Sequence, residues 1–416
     1  MDLDVLLRAE TLRLIDEVGP IASAQDVAAA LTRLRAAGHA PEVAAAVMTQ
    51  ARLRAKAAAK FGGFASGMLF TEDGLQQATR LAVAARHAAR FRDAGIGRVA
   101  DLGCGIGGDA LAFAGLGIGV NAVERDPVTA AIAAYNLAAF PDVAVEAGDA
   151  ETADLDGVAG VWLDPARRRG ATRLPDPADW SPSLDFAFGL GRRLPAGVKL
   201  GPGIDRGLLP EGAEAQWVSD GGEVVELAVW FGALARPGVG RAALVLGADG
   251  AHELTAPADS PDVEAGELGA YLVEPDGAVI RARLIGDLAR ALDARTLHPT
   301  IAYLTCDAPP STPFGAAFRV IQTLPVDAKA IRRALAERGV GSLEIKKRGV
   351  DVDPEAFRRQ VLPKPRPGGG SAVLVLTRLG ERRRALLCER LSPARRPGIP
   401  SENAGSGGGI GGFATE

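Results

Sequence analysis

The chain predicts an open α/β fold: a Rossmann-like sheet preceded by a helical region and followed by a small α+β domain. Three observations carry this. Residues 99–126 read VADLGCGIGGDALAFAGLGIGVNAVERD, a strand, a glycine turn, a helix and a second strand ending in an acid. Apolar runs at 143–145, 158–163 and 198–202 then recur between helical stretches. Beyond residue 250 an acidic Pro/Ala-rich stretch precedes a new alternation of short strands and helices. The 416 residues exceed what one core usually holds. We therefore expect a helical region at 1–95, an α/β core at 96–250, an α+β domain at 268–395 and a disordered Gly/Ser-rich tail at 396–416.

The lead-in has helical apolar spacing at 3–18, 23–37 and 41–59, with breaks at Gly19-Pro20 and 38–41. Ser23 and Asp26 make an N-cap pair. Arg52, Arg54, Lys56 and Lys60 fit either a nucleic-acid contact or a wet helix face. Phe61, Phe64, Met68 and Phe70 follow in a glycine-containing loop. Gln77 and Thr79 then stand at the start of a helix over 75–92, either as ligand contacts or as caps.

Gly103, Gly105 and Gly107 let the chain and a ligand approach closely, and the free N–H groups of the next helix face that ligand. Glu124 stands 21 residues after Gly103, the spacing at which a carboxylate reaches the ribose hydroxyls of a nucleotide. Asp101, ahead of the first glycine, can accept from an ammonium group. Asp149 follows the third strand and Asp164-Pro165-Ala166-Arg167 closes the fourth, where open α/β sheets hold their substrates. Residues 198–202 read as strand five, 214–218 and 224–231 as a closing pair, and 241–246 as a final strand. Glu223 and Glu226 read as surface residues, and 251–266 as a linker.

The formal net charge of −4 hides an asymmetry. Residues 319–396 carry 19 Lys/Arg against 8 Asp/Glu, so the remainder holds an excess of 15 negative charges. A basic module on an acidic body suits a polyanionic partner, and equally a set of solvated helix faces. Lys346, Lys347 and Arg348 end a strand beside Gly349, a placement that suits phosphate contacts. Three distant cysteines suggest a reducing compartment without disulfides. No metal-ligand spacing, secretory signal or membrane-length apolar run is evident, so a cytoplasmic protein without metal is expected.

The segment around Asp101–Gly107 resembles motif I of class I methyltransferases. The fuller string CGIGGDALAFA…VNAVERDP…NLAAF…GDA resembles trimethylguanosine synthase-type RNA methyltransferases. This resemblance implies a seven-stranded core and S-adenosyl-L-methionine held by Asp101, Gly103, Gly105, Gly107, Glu124 and Asp149. It also implies catalysis at Asp164, Pro165 and Arg167. Amino-methyltransferases carry Pro-Pro-aromatic after the acid. Here Ala166 and Arg167 depart from that pattern, leaving stacking to an arginine plane, Trp162 or Trp180. Arg168 and Arg169 extend the basic run and suit substrate phosphates. KFGGF, QQAT, EPDGAVIRA, YLT and LEIKKRG resemble bacterial methyltransferases with a THUMP-like C-terminal domain, from about residue 50 to 392. That implies an RNA substrate, such as tRNA. Three other readings stay open: a small-molecule methyltransferase whose basic domain is a lid or oligomerisation module, a C5-pyrimidine enzyme using Cys306 or Cys104, and an RNA-binding protein without turnover.

Overall fold

A computed structural model describes residues 2–166, 168–169, 172–174, 176–362 and 368–391. Two compact units emerge: Met1–Val263 with Pro275–Arg290, and Glu264–Glu274 with Ala291–Glu416. The expected disordered tail at 396–416 lies outside the described residues.

The first unit opens with α1 (Leu3–Leu6), α2 (Ala9–Val18), α3 (Ala24–Ala36) and α4 (Pro41–Phe61). The single helix expected over 3–18 is thus broken at Leu7 and Arg8. Ser23 does cap α3: its hydroxyl accepts from the Asp26 N–H at 3.1 Å and donates to the Asp26 carboxylate at 2.6 Å. One face of α4, with Val47, Ala51, Ala57 and Phe61, is buried. It shares a single core with Ile106, Phe113 and Val120, so the helical region is packed into the α/β unit. The helix expected over 75–92 becomes α5 (Glu72–Gln77) and α6 (Leu81–Asp93).

Next come β1 (Arg98–Leu102), α7 (Gly108–Gly115), β2 (Gly119–Glu124), α8 (Pro127–Leu137) and β3 (Val143–Ala147). They are followed by β4 (Gly160–Leu163), a two-strand hairpin of β5 (Arg168–Arg169) and β6 (Thr172–Arg173), α9 (Leu184–Gly191) and β7 (Ala196–Leu200). Asp126 caps α8 by accepting from the Thr129 N–H at 2.8 Å, with Pro127 in the first turn. The hairpin of β8 (Glu214–Asp220) and β9 (Glu223–Phe231) leads to β10 (Arg241–Gly247) and β11 (Gly250–Ala256).

The strands form one sheet in the order β11-β10-β8-β9-β7-β4-β1-β2-β3. From β3 to β7 every pairing is parallel; β9 is antiparallel to both its neighbours, and β11 to β10. The seven strands expected of the core are present, from β3 to β8, and β10 and β11 extend the sheet to nine. Residues 251–256, read as the start of a linker, pair with β10 as part of β11. Their side chains are half-exposed on an edge strand, so no apolar alternation marks them.

The second unit starts with β12 (Tyr271–Pro275). The chain then returns to the first unit as α10 (Gly277–Arg281) and α11 (Ile285–Ala291). The one helix expected over 280–292 is interrupted by Arg283, whose φ is 60°. α10 packs on β8, β9 and β10, and a Cβ on Gly277 would lie 2.4 Å from Val224. Residues 275–290 therefore leave the C-terminal domain expected to begin at 268.

The second unit's sheet runs β13-β14-β12-β15-β18-β17-β16, with β13 (Arg295–His298), β14 (Ile301–Cys306), β15 (Gly315–Leu324), β16 (Val340–Lys347), β17 (Gly370–Leu379) and β18 (Arg382–Arg390). Helices α12 (Ala328–Glu337) and α13 (Pro354–Val361) cover one face, where Ile331, Leu335 and Val361 meet Leu374 and Leu376. Val373 and Val375, alternating along the same strand, face a second cluster with Tyr303 and Phe318.

Candidate functional site

The site lies at the carboxyl ends of β1, β2, β4 and β7. After β1 the chain turns through Gly103, Gly105 and Gly107, whose φ values are +91°, +56° and +85°. A Cβ at Gly103 would stand 2.9 Å from the Asp164 carbonyl oxygen, so only glycine lets the turn lie against the end of β4. Glu124 closes the turn from β2. One of its carboxylate oxygens accepts from the Gly105 N–H and the other from the Asp126 N–H, both at 2.9 Å.

Asp101 lies beneath this turn, 1% exposed. Neither of its side-chain oxygens has a hydrogen-bond partner among the described residues. Burial, then the neighbouring Asp109 and Asp164, push its carboxyl well above the usual range. A buried, unsatisfied acid is costly unless a cation meets it. The ammonium of an amino-acid moiety fits that need, and a nucleoside fits the glycine turn beside Glu124.

A second buried network backs the turn. His87 on α6 bonds Asp109 of α7 through Nδ1 at 2.8 Å and Glu226 of β9 through Nε2 at 2.7 Å. Burial alone would depress the imidazole's pKa, but Glu226 and Asp109 raise it to about 9, so both ring nitrogens donate. The Thr79 hydroxyl donates to the remaining Asp109 oxygen at 2.7 Å. Glu226, read from sequence as a surface residue, is 2% exposed: its partner comes from a distant helix.

Asp164 follows β4 and Lys199 lies on β7. The Lys199 ammonium donates to Asp164 Oδ2 at 2.6 Å. The loop before α6 is clamped over the turn. Asn136 accepts from the Leu69 N–H at 2.7 Å and donates to the carbonyls of Leu69 at 3.0 Å and Ile106 at 2.9 Å. Buried Arg54 donates to the Met68 carbonyl at 2.9 Å and to Asp16 at 2.8 Å. Lys60 donates to the carbonyls of Leu75, Gln76 and Ala78 at 2.9, 2.8 and 2.7 Å. Arg54, expected on a wet face or in a nucleic-acid contact, is buried, and it and the half-buried Lys60 hold the loop.

Two proteins of Mycobacterium tuberculosis strains, each named an uncharacterized S-adenosylmethionine-dependent methyltransferase, are 35% identical to this chain over 342 residues. Each match spans 79% of this chain and 91% of the relative. The chain belongs to the S-adenosylmethionine-dependent methyltransferases. A crystal structure from Porphyromonas gingivalis W83, provisionally named a methyltransferase, shares the fold with a TM-score of 0.69 at 22% identity. That match covers 89% of this chain and 100% of the other. Residues 315–390 match the THUMP domain-like family, and residues 2–57 match a domain of unknown function, DUF8688.

In this methyltransferase the strand ends bring Asp101, Gly103, Gly105, Gly107, Glu124 and Asp164 together. Asp149 is exposed and accepts from the Glu151 N–H at 2.9 Å, capping a short turn. Pro165 is buried behind Asp164. Arg167 lies outside the described residues, as do the side chains of Arg168 and Arg169, whose backbones pair with Arg173 and Thr172. Neither candidate stacking ring is open: Trp162 is fully buried 4.2 Å from His87, and Trp180 is buried with its indole N–H on the Leu174 carbonyl.

Lys346, Lys347 and Arg348 belong to the second unit. Lys346 pairs with Glu274 at 2.7 Å and Glu344 at 3.2 Å, and Arg348 approaches Glu274 at 3.8 Å. These two cations are therefore partly neutralised within the sheet, whereas Lys347 is exposed. Sequence reading missed Lys199, His87 and Asp109. The only hint was a lone lysine inside the apolar run that forms β7. Among the described residues no helix is long and apolar enough to cross a membrane, and no group of three or more His, Cys, Asp or Glu could hold a metal ion.

Proposed function

We propose that this methyltransferase modifies a nitrogen of an RNA base, with Asp164 orienting the acceptor. The observation that carries this reading is the closeness of Asp164 to the glycine turn: its carbonyl oxygen stands against Gly103, on which no side chain would fit. Bound S-adenosyl-L-methionine would supply an electrophilic sulfonium methyl group that an acceptor lone pair attacks, with S-adenosylhomocysteine leaving as the neutral thioether. Asp101 takes the cofactor's ammonium and Glu124 its ribose hydroxyls, since each Glu124 oxygen keeps a free lone pair beside the N–H it accepts. Asp149 contributes its second oxygen to the adenine amino group. Pro165 and Arg167 shape the acceptor pocket, with Arg168 and Arg169 on substrate phosphates.

An acceptor N–H donated to Asp164 aims the nitrogen lone pair away from the carboxylate and stabilises the positive charge that develops there. RNA is favoured by the THUMP domain-like match at 315–390 and by the surplus of positive charge over 319–396. The resemblance of the 104–150 string to trimethylguanosine synthase-type sequences favours an exocyclic amine. The C5-pyrimidine alternative is disfavoured, because burial, then Asp101, push the Cys104 thiol well above its usual range. One observation favours a small-molecule acceptor instead: Lys346 and Arg348 are already engaged by Glu274.

Nucleoside mass spectrometry on RNA from a strain lacking the gene tests the reading. One methylated nucleoside should vanish there and return when the purified enzyme acts on that RNA. An unchanged nucleoside profile, with S-adenosylhomocysteine release indifferent to RNA, would replace RNA by a small molecule.

A further inference from the structure

Strand register sets Lys199 beside Asp164. Trp162 pairs with Gly197 and Leu163 with Val198, so the next residues along, Asp164 and Lys199, stand side by side at the strand ends. The lysine side chain is 12% exposed and the aspartate 33%. One member is sealed while the other opens outward. Beyond the bond from Lys199 to Oδ2, the Asp164 carboxylate has no further hydrogen bond among the described residues, so Oδ1 is the oxygen left for an acceptor.

The surroundings are rich in acids. Asp101 from β1, Asp109 from α7 and Glu226 from β9 all act on Asp164 or Lys199. Glu124 from β2 acts on Asp101. His87 from α6 is bound by Asp109 and Glu226, and Lys60 from α4 feels Lys199. Lys199 is thus the cation in direct contact with Asp164. Burial lifts the Asp164 carboxyl above its usual range even against Lys199, the largest influence that lowers it; without Lys199, a half-buried carboxylate facing other carboxylates would hold its proton. A protonated Asp164 would donate a hydrogen bond, and the acceptor's lone pair would receive it. That lone pair would then be unavailable to the methyl group. An ionised Asp164 only accepts, leaving the lone pair free.

We propose that Lys199 is a positioning residue of the methyl-transfer site, holding Asp164 ionised and turned so that Oδ1 receives an N–H of the acceptor. The inference rests on the reading of Asp164 given above and deepens it. It selects acceptors whose reacting atom carries a hydrogen that Oδ1 can accept, such as an amine nitrogen, over carbons and over ring nitrogens without one. The nitrogen that gains the methyl sheds one proton, which passes to Asp164 Oδ1 and on to solvent. The pair begins the next turnover with its charges unchanged.

Wild-type, K199M, K199Q and K199R proteins test this by two measurements. Carbon-13 NMR of carboxyl-labelled aspartates, with the Asp164 line assigned by its loss in D164N, reads the titration of that carboxylate without any substrate. The Asp164 midpoint should rise by about one pH unit or more in K199M and K199Q and stay near wild type in K199R. The second measurement is S-adenosylhomocysteine release against pH, with RNA from the deletion strain as acceptor. In K199M and K199Q, kcat should fall about tenfold or more and its acid limb move upward in step, while K199R recovers most of the rate. The cofactor Kd by calorimetry should stay within about twofold. If K199M does not fold, K199Q against K199R carries the comparison. An Asp164 titration unmoved in K199M and K199Q overturns the proposal. So does a turnover profile that Lys199 substitution leaves alone while D164N abolishes turnover; that result spares the Asp164 reading. Full turnover in D164N removes the Asp164 reading and the role of Lys199 with it.

Discussion

His87 Nε2 lies 2.7 Å from Glu226 Oε1, and this buried contact ties α6 to β9. The folded protein holds the imidazole proton more tightly than the unfolded chain does, with a pKa near 9 against an ordinary 6.5. The stabilisation is complete below pH 6.5 and is lost as pH climbs through about 9. It amounts to about 3 kcal/mol. Urea unfolding at pH 6, 8 and 10 should show wild type weakening across this span. His87→Gln should be destabilised at pH 6 and should lose less stability than wild type between pH 6 and pH 10. Equal pH slopes in the two proteins would refute the bridge.

Asp101 sets stability against binding. Its two buried oxygens lack partners among the described residues, so Asp101→Asn should raise the melting temperature of the cofactor-free protein, by roughly 1 kcal/mol in stability. The same change should weaken S-adenosyl-L-methionine about tenfold or more in calorimetry, because the ammonium loses its counter-charge. Unaltered affinity would mean that Asp101 does not face the cofactor.

Gly103 tests the geometry of the turn. Ala at this position meets a φ of +91° and an oxygen 2.9 Å from its Cβ. Gly103→Ala should cost about 1–3 kcal/mol in chemical denaturation and displace the end of β4. Gly95, also at positive φ but with nothing within 4 Å of a built Cβ, serves as the control. Gly95→Ala should leave cofactor binding intact.

Asn136 joins the Met68–Phe70 stretch to the glycine turn through three hydrogen bonds. Asn136→Ala leaves one N–H and two carbonyls to find other partners, so stability should fall by about 2–3 kcal/mol. Hydrogen exchange should accelerate over residues 62–70 before it does in the sheet. Uniform acceleration would show that the clamp is not local.

Lys347 separates RNA docking from the ion pairs of its neighbours. Being exposed, it can be reversed without disturbing Glu274, whereas Lys346→Glu would set two carboxylates face to face. Lys347→Glu should leave the melting temperature unchanged, weaken binding of deletion-strain RNA, and reduce the salt slope by about one. An unchanged salt slope would place the RNA elsewhere.

Features encoded within one βα unit are legible in the linear chain. The glycine turn, Asp101, Glu124 and the acid closing β4 each sit at a strand end, and strand ends recur at spacings that a linear string displays. The cap at Ser23 and the hairpin of β8 with β9 are legible for the same reason. The strand β11 is not, because an edge strand with half-exposed side chains shows no alternation.

The order of residues alone settles the class of fold, the glycine turn after β1 and the acids at the strand ends beside it, because each follows from short-range spacing and local backbone preference. Packing in three dimensions decides which charges meet. Asp164 and Lys199 are 35 residues apart, Arg54 and Asp16 38, and His87 and Glu226 139. No periodicity links such pairs. The fold brings them together, and burial makes each charge depend on its partner. The same physics moves Arg54 and Glu226 from an expected wet surface into the interior and turns the half-buried Lys60 onto backbone carbonyls, where their hydrogen bonds hold the site's walls.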